Sequence, residues 1–192
     1  GEELVRMCYE AGIEVTSLPG ACACVTALTL SGLPTRRFCF EGFLPQDKKE
    51  KRQILEELRT QTRTVVLYEA PHRLVRTLKD LYESLGDRRA VICRELTKKH
   101  ETAFRTTLAE AVAYYEETEP KGECVIVLEG RSRSELQREE QKRWEEMDIL
   151  SHVQMYESQG MDRKDAMKCA AKDRGLSKRE VYAMLLDTET ER

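Results

Sequence analysis

The chain has 192 residues, enough for one or two domains with a buried core. Hydrophobic residues make up 40% and charged residues 35%, the balance of a soluble globular protein with a heavily charged surface. A net charge of −3 gives no overall field that would draw the chain to nucleic acid, no apolar run approaches the roughly 20 residues of a membrane span, and no secretory signal is read at the start.

In chain order, residues 2–11 put Leu4, Cys8 and Ala11 at helical spacing, with Gly12 as a stop. "IEVTSL" (13–18) predicts a strand. "PGACACVTALTLSG" predicts a helix of small residues ended by Gly32, closely packed or lying against a ligand. "FCFEGF" reads as a strand into a turn, and "QDKKEKRQILEELRTQT" as a basic amphipathic helix. "RTVVLYEA" is a strand apolar on both faces, followed by a helix that Pro71 opens and Gly86 ends. "AVICREL" and "ETAFRTT" predict an antiparallel pair joined by "TKKH". Thr107 and Glu110 form a capping box for the next helix, and "GECVIVLEG" is a last buried strand.

Beyond Gly130 the composition changes. Residues 131–146 are almost wholly polar and predict a charged linker or exposed helix. Residues 147–192 predict three short helices, with Asp162 capping the second and Ser177 and Glu180 boxing the third, a helix-turn-helix-like module. The expected organisation is an α/β domain over 1–130 with a mixed sheet flanked by helices, a connector over 131–146, and the helical module.

Seven cysteines, an odd number with no C-x-x-C spacing, lie mostly among apolar or small residues. Reduced, buried thiols in a cytoplasmic protein are expected. Zinc needs clustered Cys and His ligands, which the sequence does not offer, so no metal is expected.

Four stretches carry chemistry. In "LPGACA", Gly20 allows close backbone approach and the helix start presents free N–H groups, suited to a carboxylate, a phosphate or an adenine edge, or to a plain tight turn. "LYEAPHR" lies where a buried strand ends, the edge at which open α/β sheets bind ligands. There Glu69 and His72 can act as bases and Arg73 can hold a phosphate, or the acid can simply favour a helix start. "CRELTKKHE" places Arg94, Glu95, Lys98, Lys99 and His100 at another strand end, as phosphate contacts or as a charged hairpin tip. Residues 160–179 carry seven basic side chains against three acidic ones, a local excess fit for nucleic acid or for a solvated helical face.

"SLPGACA…ALTLSGLP", "F.FEGFLP", "LYEAPHRL", "CRELTKKHE" and "GECVIVLEG", in this order, resemble the ribosomal RNA small-subunit methyltransferase I family of the tetrapyrrole-methylase superfamily. The resemblance covers about residues 1–130, and 147–186 is similar to that family's helical extension. It implies S-adenosylmethionine-dependent 2′-O-ribose methylation of a cytidine in the decoding region of 16S rRNA in the small ribosomal subunit, by a homodimer in the cytoplasm. It further implies two α/β subdomains with the methyl donor in the cleft between them, of which this chain matches the second, so the chain is expected to be a fragment inactive alone. Pro19, Gly20 and Ala21, then Tyr68, Glu69 and Ala70, then Gly122, Glu123 and Cys124 match segments that line the donor site. Cys22 stands where that family carries Asn or Ser.

Removing the ribose proton calls for a base, with Glu69 and His72 as first candidates and Glu95 and Lys98 behind them. Arg73, Arg94, Lys98 and Lys99 are assigned to RNA phosphates. The alternatives are a relative acting on a small molecule, such as a tetrapyrrole, and a non-enzymatic nucleic-acid-binding protein working through the C-terminal helices.

Overall fold

The structure, a computed structural model, describes residues 1–190, with side chains described through residue 186. Helix α1 (Glu2–Glu10) buries none of its residues, and its Leu4, Met7 and Tyr9 are all exposed. The strand expected over 13–18 does not form. A strand needs a neighbour for its backbone groups, and this segment pairs with neither edge of the sheet, leaving Ile13 and Leu18 in the open. Helix α2 (Ala23–Ser31) follows and ends at Gly32 in the left-handed conformation.

Strand β1 (Phe38–Phe43), helix α3 (Lys48–Arg59), capped by the Asp47 carboxylate, and strand β2 (Thr64–Glu69) form a parallel crossover. Helix α4 (Pro71–Leu85) then leads to β3 (Arg89–Arg94), which makes an antiparallel hairpin with β4 (Thr102–Thr107). Thr107 and Glu110 bond reciprocally at the start of α5 (Leu108–Glu117). Last comes β5 (Cys124–Leu128), which inserts between β2 and β3, antiparallel to both. The order β1-β2-β5-β3-β4 makes a five-stranded mixed sheet. The carboxyl ends of β1, β2 and β3 therefore share one edge with the amino end of β5.

Alternation along the strands sends side chains to two cores. Val65, Leu67, Ile92 and Ile126 meet Leu74, Leu78 and Leu81 of α4 and Leu108 of α5 on one face. Val66, Val91, Cys93, Val125 and Val127 meet Cys24, Ala27 and Leu28 of α2 on the other. Each fully buried leucine contributes at most about 2–3 kcal/mol by area, so these faces hold the sheet together. Three thiols, Cys24, Cys93 and Cys124, are buried as expected. Cys22 is exposed and Cys8, Cys39 and Cys169 are half-buried, because their segments lie at the sheet's rim or on helix surfaces.

The polar stretch after β5 is helix α6 (Arg133–Glu145), which buries none of its own residues yet packs along α8 (Arg163–Arg174). With α7 (Ile149–Ser158) and α9 (Lys178–Thr190), α8 encloses a third core of Ile149, Val153, Ala166, Ala170, Val181 and Leu185. Asp162 caps α8, and Ser177 and Glu180 exchange the two bonds of a capping box.

Candidate functional site at the carboxyl edge of the sheet

A depression of about 430 Å³ lies at that shared edge, lined by Ala23, Phe43, Tyr68, Glu69, Ala70, Pro71, Glu95, Leu96, Lys98, Glu123, Cys124 and Val125. Its lining is mostly apolar with a few convergent polar groups, the usual make-up of a small-molecule site. A somewhat larger depression of about 510 Å³ sits at the opposite edge among Arg88, Arg89, Glu129, Arg131 and Glu135. That one is polar and already closed by internal ion pairs, Arg89 with Glu129 and Arg131 with Glu139. The carboxyl edge is the better candidate.

Tyr68 leaves the top of β2 toward α2. Its hydroxyl oxygen accepts the Cys24 N–H at 3.0 Å, satisfying one of the free donors at the start of α2 that Cys22, the N-cap residue, leaves without a side-chain bond. Burial is the main cause pushing the Tyr68 phenol up from its ordinary value, against the Cys24 bond that lowers it. Phe40 and Phe43 meet its ring edge-on at centroid distances of 4.9 and 5.7 Å.

Glu69 is 2% exposed. Its carboxylate accepts the Ala70 N–H at 2.8 Å and the Thr77 hydroxyl at 2.6 Å, and lies 3.4 Å from Arg73 Nε. Arg73 also donates to the Leu44 carbonyl at 2.8 Å. The group ties β2 to the first two turns of α4 and to the loop after β1. The Glu69 carboxylate is closed off from a substrate, whereas Arg73 keeps part of its side chain open in a second depression beside His72 and Arg76.

The turn after β3 forms the other rim. Glu95 and Thr97 take positive φ, at 50° and 65°. The Glu95 N–H donates to the Glu123 carbonyl at 3.3 Å, and Lys98 Nζ donates to the Glu95 carboxylate at 3.1 Å. The Lys98 hydrogen bond holds the Glu95 carboxyl below its ordinary range. Gly122 has φ +77°, and a Cβ there would come within 2.0 Å of the Glu95 carboxylate, which lies across it. Cys124, buried under this rim, is pushed up to about 11 by desolvation first of all, so it stays a thiol.

Of the residues singled out by sequence, Tyr68, Glu69, Ala70, Glu95, Lys98, Glu123 and Cys124 line the depression, and Gly122 lies beside Glu123 at its rim. Pro19, Gly20 and Ala21 are exposed in the irregular segment before α2 and do not line it. His72 is exposed and lines two other depressions, near Val75 and Tyr115 and near Arg76 and Thr77. The cause is helical: Pro71 starts α4, so the next side chain turns away from the strand end. Arg94 donates to the Lys121 carbonyl at 3.0 Å, and Lys99 is exposed at the tip of the turn. Sequence reasoning missed Ala23, Phe43, Leu96 and Val125. The "FCFEGF" block carried Phe43, but its place beside Tyr68 depends on the parallel pairing of β1 with β2. No group of three or more potential metal ligands occurs among the described residues.

The sequence model of the tetrapyrrole (corrin/porphyrin) methylases matches residues 1–112. The chain belongs to this family. Among its curated relatives are proteins named ribosomal RNA small subunit methyltransferase I. That of Halalkalibacterium halodurans is 46% identical over 95% of this chain and 62% of its own length. That of Bacillus subtilis is 44% identical over the same shares. That of Synechocystis is 41% identical over 100% of this chain and 67% of its own length. The chain thus spans about three fifths of the length of the first two relatives. The crystal structure of a cobalt precorrin-4 methyltransferase matches 67% of this chain and 57% of its own with a TM-score of 0.50 at 15% identity, a likeness of fold.

Proposed function

We propose that this chain forms one wall of the methyl-donor site of a cytoplasmic rRNA methyltransferase, with the other wall carried by sequence that the relatives possess outside the matched span. The reaction is S-adenosylmethionine-dependent 2′-O-methylation of a cytidine ribose in the decoding region of 16S rRNA in the small ribosomal subunit. The observation that carries this reading is the 41% identity along the whole chain to a relative of that name. Homodimer formation follows from the same family resemblance.

The pocket's chemistry fits the donor. It is largely apolar, and Glu95 and Glu123 on its rim favour a cationic ligand. The Tyr68–Ala70 strand end and the Glu123–Cys124 strand start would hold the donor largely through backbone, with Phe43 and Leu96 excluding water. When bound, S-adenosylmethionine supplies an electrophilic methyl group. The chain's part is to place a ribose hydroxyl in line with it, which can supply much of the rate.

For the hydroxyl proton this wall offers Glu95. Glu69 is fully engaged by Ala70, Thr77 and Arg73, and His72 faces elsewhere. Glu95 is held charged by Lys98, so it can accept the proton once Lys98 turns to an RNA phosphate. Lys99 and Arg94 extend that cationic rim, and Arg73 is assigned a structural part instead.

Mass-spectrometric mapping of small subunits from cells lacking the protein, treated with the full-length protein and the donor, tests the reading. A single cytidine gaining a ribose methyl is the expected result. Methylation on a base, or of a small molecule only, would contradict it.

A further inference from the structure

The first strand of the sheet carries an irregularity that changes which way its side chains face. Phe38 pairs with Thr64 and Phe40 with Val66, but Gly42 pairs with Leu67 and Phe43 with Tyr68. Glu41 is the extra residue of a β-bulge, made possible by Gly42 at φ +64°. In an unbroken strand Phe38 and Phe40 would share a face and Phe43 would point to the other. The bulge returns Phe43 to the face of Phe38 and Phe40. Bulges of this kind recur beside active sites, where they re-aim a side chain.

The result is a row of three phenyl rings on the α2 side of the sheet. Phe38 is 38%, Phe40 50% and Phe43 59% exposed. Helix α2 covers β2, β4 and β5 on that side, and Tyr68 is the ring that backs Phe40 and Phe43. The row has direction: Phe43 lines the carboxyl-edge pocket, and Phe38 lies about five residues of strand away, roughly 17 Å. Arg36 and Arg37, both exposed, precede its far end, and the exposed Lys48 and Lys49 follow its near end. Glu41 is the acidic side chain within the strand, and its neighbours in sequence outnumber it.

We infer that Phe38, Phe40 and Phe43 form a stacking platform for the unpaired bases of a single RNA strand entering the pocket, with Arg36 and Arg37 on its phosphates. Exposed aromatic rings in series, flanked by cations, are how proteins hold single-stranded RNA: every base has a face to stack, and the backbone supplies the charge. Among the described residues Tyr68 is the ring packed on Phe40 and Phe43, and both keep half or more of their surface open; a metal or anion site needs no aromatic row. The inference rests on the proposed RNA substrate; the row meets the donor pocket at Phe43 and runs away from it through Phe40 to Phe38.

The test is fluorescence anisotropy of a short labelled single-stranded RNA, and of a duplex of the same sequence, with this chain and with the full-length protein. Phe38→Leu and Phe40→Leu keep apolar bulk while removing the stacking face, and neither residue lines the donor pocket. Each is expected to weaken single-strand binding by about tenfold, leaving the melting temperature, the oligomeric state and methyl-donor binding unchanged. Arg36→Ala should lower the salt slope by about one phosphate contact. Unchanged RNA affinity in the full-length variants would overturn the inference. So would a variant that alters only the oligomeric state, which would make the row a protein interface, or equal binding of duplex. If small-subunit methylation fails but the variants still lose single-strand binding, the platform stands and the proposed reaction does not.

Discussion

Glu69 shows how a reactive residue type can be structural. Its carboxylate is buried, accepts hydrogen bonds from a backbone N–H and a hydroxyl, and pairs with a guanidinium, all from the residues that begin α4. Removing its charge leaves the Arg73 guanidinium without its anionic partner and puts an amide, whose nitrogen only donates, where two acceptor oxygens stood. Glu69→Gln is therefore expected to cost about 2–4 kcal/mol of stability, read as a lowered urea midpoint, whereas His72→Gln at the exposed second position of α4 should cost less than about 0.5 kcal/mol. The stretch "LYEAPHR" showed that a site was near, since strand ends of buried runs gather ligands. It did not show which side chains face it. Glu69 and Arg73 are four residues apart, a spacing that pairs them on a helix start, and Thr77 repeats it once more. That spacing was visible in the sequence, and it is the signal that separates an anchor from a base.

At the scale of elements, helices and strands with strong punctuation were legible: Pro71, Thr107 with Glu110, and Asp162 all act at the ends where the sequence puts them. The failed strand at 13–18 had no partner, and a local pattern alone specifies a face, not a neighbour. The insertion of β5 between β2 and β3 rests on contacts distant in sequence, which no local pattern encodes. Nor does a polar run disclose what α6 rests on. Trp144 of α6 stacks on His152 of α7 at 4.3 Å with rings 9° from parallel. His152 is fully buried, and its Nδ1 accepts from Arg174 Nε at 3.1 Å, so the neutral ring carries its hydrogen on Nε2. That nitrogen faces Asp173 at 3.3 Å, while the Tyr156 hydroxyl bonds the same Asp173 oxygen at 2.5 Å. Arg174 also holds the Met147 carbonyl.

Burial, and then the Arg174 charge, lower the His152 pKa below its ordinary 6.5, against the pull of Asp173. The unfolded chain thus binds a proton that the folded one resists, and stability rises with pH through this window. The helices α6 to α9 are expected to lose stability as pH falls below about 6.5, down to the lower folded value, beyond which the loss levels off. Thermal melts followed by Trp144 fluorescence between pH 7.5 and 5 check this. His152→Phe, which keeps the stack without the titration, should flatten the dependence. A melt that stabilises on acidification would contradict the arrangement.

For the whole molecule, the sheet edge brings together four segments separated by most of the α/β portion: the end of β1, the end of β2, the turn after β3 and the start of β5. Their convergence is the central claim, because it makes the pocket a composite that no single motif contains. Gly122 is the point where this can be probed with one atom group. A Cβ there meets the Glu95 carboxylate and sits at a positive φ that costs an L-residue about 1–2 kcal/mol, so Gly122→Ala pushes the Glu95 side chain from its place on the rim. Calorimetric titration of S-adenosylmethionine into the full-length protein, comparing Gly122→Ala with His72→Ala, is the most direct measurement. Donor affinity lower by about tenfold in Gly122→Ala and unchanged in His72→Ala is the predicted result. Unchanged affinity in Gly122→Ala together with loss in His72→Ala would place the donor site elsewhere and contradict the account.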